Sequence, residues 1–305
     1  MKWTQLPTAE LLRKLEPPKG KVSMVLDTDT YNEVDDQFAL AHCMLSPERL
    51  DVQAIYAAPF FNARSSGPEE GMEKSYEEIV RLLGKMNVKP DGLVYKGSRA
   101  YLPSEDGYVD SPAARDLVER AMARPDDDPL YVVAIGAITN VASALLMEPR
   151  ITSKIVVVWL GGHSLEYPTA KEFNLMQDVP AVRVVLDCGA PVVLIPCLGV
   201  SSHLLATVPE LEAYIGGKNA LCDALIELFA AYTDDHFAWG KEIWDVATTG
   251  YMINPEWVPT VLTHSPLLTD DCHWARDATR HLIRVAVYCK RNPIFRDLYT
   301  KLAKA

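Results

Sequence analysis

Five carboxylates crowd into the ten positions from 27 to 36: Asp27, Asp29, Glu33, Asp35 and Asp36, with Asn32 among them. Acids packed this tightly repel, so the folded chain must supply a compensating cation or let some of them take up protons. A hard divalent cation answers the charge directly, because Ca²⁺ and Mg²⁺ are held by carboxylate and carbonyl oxygens. The plainer alternative is a solvated acidic loop, since Asp35 and Asp36 stand where a helix N-terminus favours negative charge. An Asp-x-Asp leaving an apolar run, followed by an Asp-Asp opening a helical pattern, favours the metal site.

The elements that must position these acids can be read on either side of them. Residues 22–26 (VSMVL) form a short apolar run that predicts a buried strand. After Asp36 the apolar positions Phe38, Ala39, Leu40, Cys43 and Met44 follow helical spacing. The acids therefore sit on a strand–loop–helix turn at the carboxyl end of a strand, where ligands bind in open α/β sheets. Further strands are expected at 50–58, 92–95, 130–135, 155–160 and 191–195, with helices over 73–83, 111–122, 139–146 and 179–188. This alternation predicts an open, mainly parallel sheet with helices on both faces. A short helix is expected at 8–15, and a polar loop at 97–110 is a candidate lid. The loop 163–174 carries Glu166, Glu172 and Asn174. The C-terminal third turns helical at 209–215, 221–237 and 243–253. It adds a pair of antiparallel edge strands near 257–262 and 281–287 and a closing helix at 293–304.

The bulk numbers narrow the class. A chain of 305 residues with 49% hydrophobic content can bury a large core, in one large α/β domain or two, and is read here as a single domain over 1–305. A net charge of −11 with dispersed Lys and Arg argues against nucleic acid as a partner. Residues 1–20 are charged and lack an apolar centre, which is not the pattern of a signal peptide, and no apolar run approaches a bilayer span. Cys43, Cys188, Cys197, Cys222, Cys272 and Cys289 show no CxxC spacing, so buried free thiols in a reducing cytoplasm are expected.

The stretch from Asp27 to Asp36 resembles the N-terminal signature of the nucleoside hydrolase family, the inosine–uridine preferring and related N-ribohydrolases. The usual form is Asp-x-Asp-Pro-Gly-x-Asp-Asp. Here Thr30-Tyr31-Asn32-Glu33-Val34 replaces Pro-Gly-x and is two residues longer. Four later pieces are also similar to the family. Ile135-Gly136-Ala137-Ile138-Thr139-Asn140 looks like its Gly-Pro-Leu-Thr-Asn turn, and Trp159-Leu160-Gly161-Gly162 like its Met-Gly-Gly. Glu172-Phe173-Asn174 with Asp178 matches Glu-Phe-Asn-x-x-x-Asp, and Trp244-Asp245 stands where the family often has His-Asp.

The resemblance implies hydrolysis of the N-glycosidic bond of a ribonucleoside or related N-riboside, in purine or pyrimidine salvage, by a cytoplasmic homodimer or homotetramer. It implies Ca²⁺ held by Asp29, Asp36, Asp245 and the backbone carbonyl of Ile135, with Asp29 also the general base for a metal-bound water. Asp35, Asn62, Glu172 and Asn174 would bind the sugar, and Asp27 would support the loop. Glu166 replaces the family's usual Asn, which alters contacts to the sugar's outer end. Trp244 cannot donate a proton as an imidazole does, but it can stack on a base or wall the pocket. The histidines show no metal-ligand spacing; His163, after the glycine pair, is the one to test as a leaving-group acid.

Two alternatives stay open on the residues alone. Asp27-Thr28-Asp29-Thr30 also resembles the opening of haloacid-dehalogenase-type Mg²⁺-dependent phosphatases, with its Thr one residue early. A non-catalytic sugar or nucleoside binder on the same scaffold is the other.

Overall fold

The structure is a computed structural model that describes residue 3 and residues 5–305. Its elements run α1 (Thr8–Lys14), β1 (Val22–Thr28), α2 (Asp35–Met44), β2 (Leu50–Ala57), α3 (Pro68–Lys85), β3 (Val94–Lys96), α4 (Pro112–Met122), β4 (Leu130–Ala134) and α5 (Thr139–Met147). There follow β5 (Ile155–Leu160), α6 (Phe173–Gln177), α7 (Val179–Asp187), β6 (Val192–Ile195), β7 (Leu205–Ala206), α8 (Val208–Ile215), α9 (Ala220–Ala230), β8 (Lys241–Glu242) and α10 (Val246–Ile253). The chain closes with β9 (Thr260–His264), β10 (Leu267–Leu268), β11 (Trp274–Ala275), β12 (Leu282–Ala286) and α11 (Arg291–Leu302).

Successive side chains of a strand face opposite sides of its sheet. In the central strands both sets are apolar, so both faces must be covered. Met24 and Leu26 of β1, with Val133 of β4 and Val158 of β5, join one core with residues of α2, α3, α9, α10 and α11. Val25, Val132 and Val157 point the other way, into a second core with α4, α5 and α7. The sheet between them has eight strands in the order β3-β2-β1-β4-β5-β6-β12-β9, and only β12–β9 pairs antiparallel. The expected mainly parallel sheet with helices on both faces is the architecture found.

Several details differ from the sequence expectation. The antiparallel pair exists, but β12 lies inside the sheet, parallel to β6, and only β9 is at the edge. Helix α3 begins at Pro68 rather than 73, because Pro occupies its first turn and Glu69 and Glu70 suit the positive helix end. Helix α9 stops at Ala230 rather than 237. Beyond it, the Thr233 hydroxyl accepts from Asp235 N–H and the Asp235 carboxylate from Phe237 N–H, local bonds that compete with helix continuation. Part of the loop expected at 163–174 opens helix α6, with Glu172 as its cap. The expected lid at 97–110 is fastened along its first half. Ser98 N–H donates to Asn140 Oδ1 at 2.7 Å and Leu102 N–H to Asp178 Oδ2 at 2.9 Å. All six cysteines are buried free thiols. Among the described residues no helix is long and apolar enough to cross a membrane.

Candidate functional site

The strand order places the switch point of the sheet between β1 and β4, because the chain winds outward to β2 and β3 on one side and to β5 and β6 on the other. The crevice beyond the carboxyl ends of two such strands is where this architecture binds ligands. A cavity of about 280 Å³ lies there. Its wall comes from the segments that follow four strands: Asp29 to Asp36 after β1, Ile135 after β4, Leu160 and His163 after β5, and Cys197 and Leu198 after β6. Glu172, Phe173 and Asn174 at the start of α6, with Trp244 and Asp245 before α10, complete it.

Asp36 and Asp245, remote in sequence, meet because α2 and α10 pack side by side with their N-termini at the cavity. His42 clamps the two helices farther along. Its Nδ1 is 2.6 Å from Thr249 Oγ1, and its Nε2 is 2.9 Å from Asp297 Oδ2 on α11. Carboxylate oxygens of Asp35, Asp36 and Asp245 lie within 4.8 Å of one another, and all three residues are buried. Asp245 holds the cap position of α10 with no side-chain bond to the helix, its backbone carbonyl alone accepting from Thr248, so its carboxylate is left for the cavity. Asp29 stands beside this trio, outside that spacing. Both its oxygens are buried without a hydrogen-bond partner. A Cβ at Gly136 would come within 3.1 Å of the Asp29 carboxyl carbon, so a side chain there would press the β4 turn and this acid apart by a few tenths of an ångström. The Asn174 amide donates to the carbonyls of Ile135 (3.0 Å) and Leu160 (3.1 Å), tying the ends of β4 and β5 together. A carbonyl has two lone pairs, so that of Ile135 retains one.

Burial pushes the pKa of Asp29, Asp36 and Asp245 well above the carboxylate range, and the negative charges of their neighbours push the same way. Burial, then the charge of Glu33, raises Asp35 to about 7. Burial raises Asp27 to about 7 against one bond from Asn140. Burial raises Glu172 to about 7 even though its carboxylate accepts the N–H groups of Gly162, Asn174 and Leu175. Orphaned carboxylate oxygens gathered in one buried place fit a divalent cation, and the acidic trio could hold a metal.

These shifts set a pH dependence for the metal-free protein. A carboxyl whose pKa rises on folding adds stability that is complete below its unfolded value and lost as pH climbs through the folded one. With Asp27, Asp35 and Glu172 moved from 3.8–4.5 to about 7, the melting temperature in chelator should fall between pH 5 and pH 8. His281, lowered by burial to about 4, opposes this from pH 6.5 downward together with His42 and His163, which burial also lowers, but three rings stand against six buried acids raised by folding. A melting temperature that rises from pH 5 to pH 8 in chelator contradicts this electrostatic account.

Two polar residues hold the floor of the site. Asn140 bridges Asp27 Oδ1 (2.7 Å) and Ser98 N–H. Asp178 caps α7 through Ala181 N–H (3.0 Å) and accepts from Leu102 N–H and the Thr139 hydroxyl (2.7 Å). Asp178→Ala strands these donors in a buried place and should cost about 2–5 kcal/mol of unfolding free energy, measured by urea denaturation.

Of the residues expected at the site, Asp29, Asp35, Asp36, Ile135, His163, Glu172, Asn174, Trp244 and Asp245 all line the cavity. Two do not. Glu166 is exposed and pairs with Arg276 on a neighbouring groove; its loop turns outward where Trp274 donates to the His163 carbonyl at 2.9 Å. Asn62 stands behind the wall, donating to Asn32 Oδ1 at 2.6 Å. Asn32 and Glu33, from the longer loop, line the cavity in its place, and Glu33 is held by Lys241 at 2.5 Å. Asn32 and Glu33 stood in the acidic stretch read from the sequence but were given no role of their own, and Lys171 and Lys241 were not singled out; the longer loop was the available signal for the first two.

Residues 24–294 match the sequence model of the inosine-uridine preferring nucleoside hydrolases. The pyrimidine-specific ribonucleoside hydrolase RihA of Klebsiella pneumoniae (strain 342) is 26% identical over 268 residues, covering 78% of this chain and 81% of that protein. RihA of Escherichia coli O9:H4 (strain HS) is 28% identical with the same coverage. Among solved structures, an inosine-guanosine nucleoside hydrolase superposes with a TM-score of 0.73 at 19% identity, covering 92% of this chain and 98% of that one. A purine-preferring ribonucleoside hydrolase from Gardnerella vaginalis superposes with a TM-score of 0.68 at 21% identity, with the same coverage. These two likenesses speak to the fold.

Proposed function

The chain belongs to the inosine-uridine preferring nucleoside hydrolase family and is an N-glycosyl hydrolase, and from that premise we propose that it cleaves a ribonucleoside or related N-riboside with Ca²⁺ and with Asp29 as general base. The observation that carries the reading is the Asp29 carboxylate, buried at the sheet's switch point with neither oxygen bonded, beside three further buried acids.

Asp29, Asp36, Asp245 and the Ile135 carbonyl are the proposed metal ligands. A divalent ion bound there supplies the positive charge that keeps these acids ionised, and it polarises water and the sugar diol. Cleavage builds an oxocarbenium-like charge on the sugar while water attacks from the face opposite the base. Asp29 takes the proton of that water. Asp35 accepts from a sugar hydroxyl, and Glu172 and the Oδ1 of Asn174 present further acceptors. Because the Asn174 amide hydrogens are spent on backbone carbonyls, it acts on the sugar as an acceptor only. Trp244, Phe173 and His163 wall the cavity and exclude bulk water. Asn62 acts through Asn32. The buried free thiols suit a reducing cytoplasm, and we further propose a role in nucleoside salvage as a homodimer or homotetramer.

Two assays separate this reading from a phosphatase. Nitrophenyl riboside with Ca²⁺ should be hydrolysed, and nitrophenyl phosphate with Mg²⁺ should not. The reverse outcome would transfer Asp27 and Asp29 to phosphoryl chemistry.

A further inference from the structure

The motif Glu172-Phe173-Asn174 with Asp178 leaves the positions between Asn174 and Asp178 unspecified, and one of them, Gln177, ties three segments together. Gln177 closes α6, the short helix whose start presents Glu172, Phe173 and Asn174 to the cavity. Its Oε1 accepts from two other segments: the backbone N–H of Phe61 at 2.8 Å, in the stretch after β2, and the hydroxyl of Tyr101, in the stretch after β3. Burial, then the charge of Asp29, raises the pKa of that hydroxyl, so it stays a donor at working pH. Gln177, Phe61 and Tyr101 do not line the cavity themselves. Phe61 matters through its neighbour. The Asn62 amide donates to Asn32 Oδ1 at 2.6 Å, and Asn32 N–H donates to the Asp29 carbonyl at 2.7 Å. A connected path therefore runs from α6 through Gln177, Phe61, Asn62 and Asn32 to the acidic loop after β1.

Resting on the hydrolase reading above, we propose that Gln177 is a positioning residue for the sugar site, fixing the Glu172–Asn174 turn against the Asn32 loop through the acceptor it offers to Phe61 and Tyr101. The two parts of the wall that would hold the sugar come from segments far apart in sequence, and each is anchored to its own strand. One shared oxygen sets their spacing without touching the substrate. Without it, Phe61 N–H and the Tyr101 hydroxyl lose their common partner, and the stretch after β2 is freed to shift against α6, taking Asn62 and Asn32 with it. The loss falls on contacts made alike in the ground state and the transition state, so it weakens sugar binding and spares proton transfer to Asp29.

The test compares Gln177→Leu and Gln177→Glu with the wild type on nitrophenyl riboside at saturating Ca²⁺. Gln177→Leu should raise KM about three- to tenfold, the worth of one or two hydrogen bonds, with kcat nearly unmoved. Gln177→Glu, whose carboxylate accepts from the same two donors, should bring KM back close to the wild-type value. Asn62→Ala should also raise KM, and adding Gln177→Leu to it should raise KM little further, because both act along one path. An unchanged KM in Gln177→Leu, a rise that Gln177→Glu does not reverse, or full additivity with Asn62→Ala overturns the proposal and leaves the hydrolase reading standing. If the wild type turns over no riboside, the hydrolase reading fails, and the Kd for ribose, measured by calorimetry in the same variants, decides by the same ratios whether Gln177 positions a sugar site. A wild type that neither turns over the riboside nor binds ribose overturns both.

Discussion

Asp29→Asn is expected to lower kcat by about a hundred- to ten-thousand-fold, the usual worth of a positioned general base, while the protein stays folded. The Asp29 oxygens are buried and no N–H or O–H donates to them, so the fold leans on this carboxylate for no donor's partner. An amide of the same shape removes a buried group that burial and the charges of Asp36 and Asp35 disfavour as an anion. The metal-free variant should therefore melt no lower than the metal-free wild type. Rates on nitrophenyl riboside at saturating Ca²⁺, with melting curves in chelator, check both halves. Near-normal turnover would remove Asp29 from the chemistry.

Stripping the metal should abolish turnover, and added Ca²⁺ should restore it. The same ion should raise the melting temperature, because a ligand at a hundred times its Kd stabilises the folded state by about 2.7 kcal/mol. That gain should be larger at pH 8 than at pH 5, where protons compete for Asp29, Asp36 and Asp245. Asp245→Asn removes one charged ligand from the cage and should raise the Ca²⁺ needed for half-maximal activity on the order of a hundredfold. Activity that survives exhaustive chelation would leave the carboxylates without this role.

The parts of this molecule that were legible in its sequence are those set by local pattern. Residues 155–160 could be read as a strand to the residue, because six apolar positions in a row between Lys154 and the Gly161-Gly162 pair fit a doubly covered parallel strand. The acids at 27–36 announced a site because their charges are costly wherever they fold, and the later motifs came through spacing. What stayed hidden depends on contacts that no short window contains. Glu33 meets Lys241 only because β8, paired with β7, brings that lysine back to the loop after β1. Asn62 passes its amide to Asn32 because the longer loop fills the space in front of it. Glu166 faces outward because Arg276, from the segment after β11, draws it there. The interior position of β12 likewise follows from pairing with β6, which its own alternation does not reveal.

The most direct measurement is anomalous scattering from a crystal of the calcium-loaded protein. The account predicts one ion in the crevice between β1 and β4, with oxygens from Asp29, Asp36, Asp245 and the Ile135 carbonyl in its coordination shell. An ion bound elsewhere, or one bound there without Asp29 and Asp245, would contradict it.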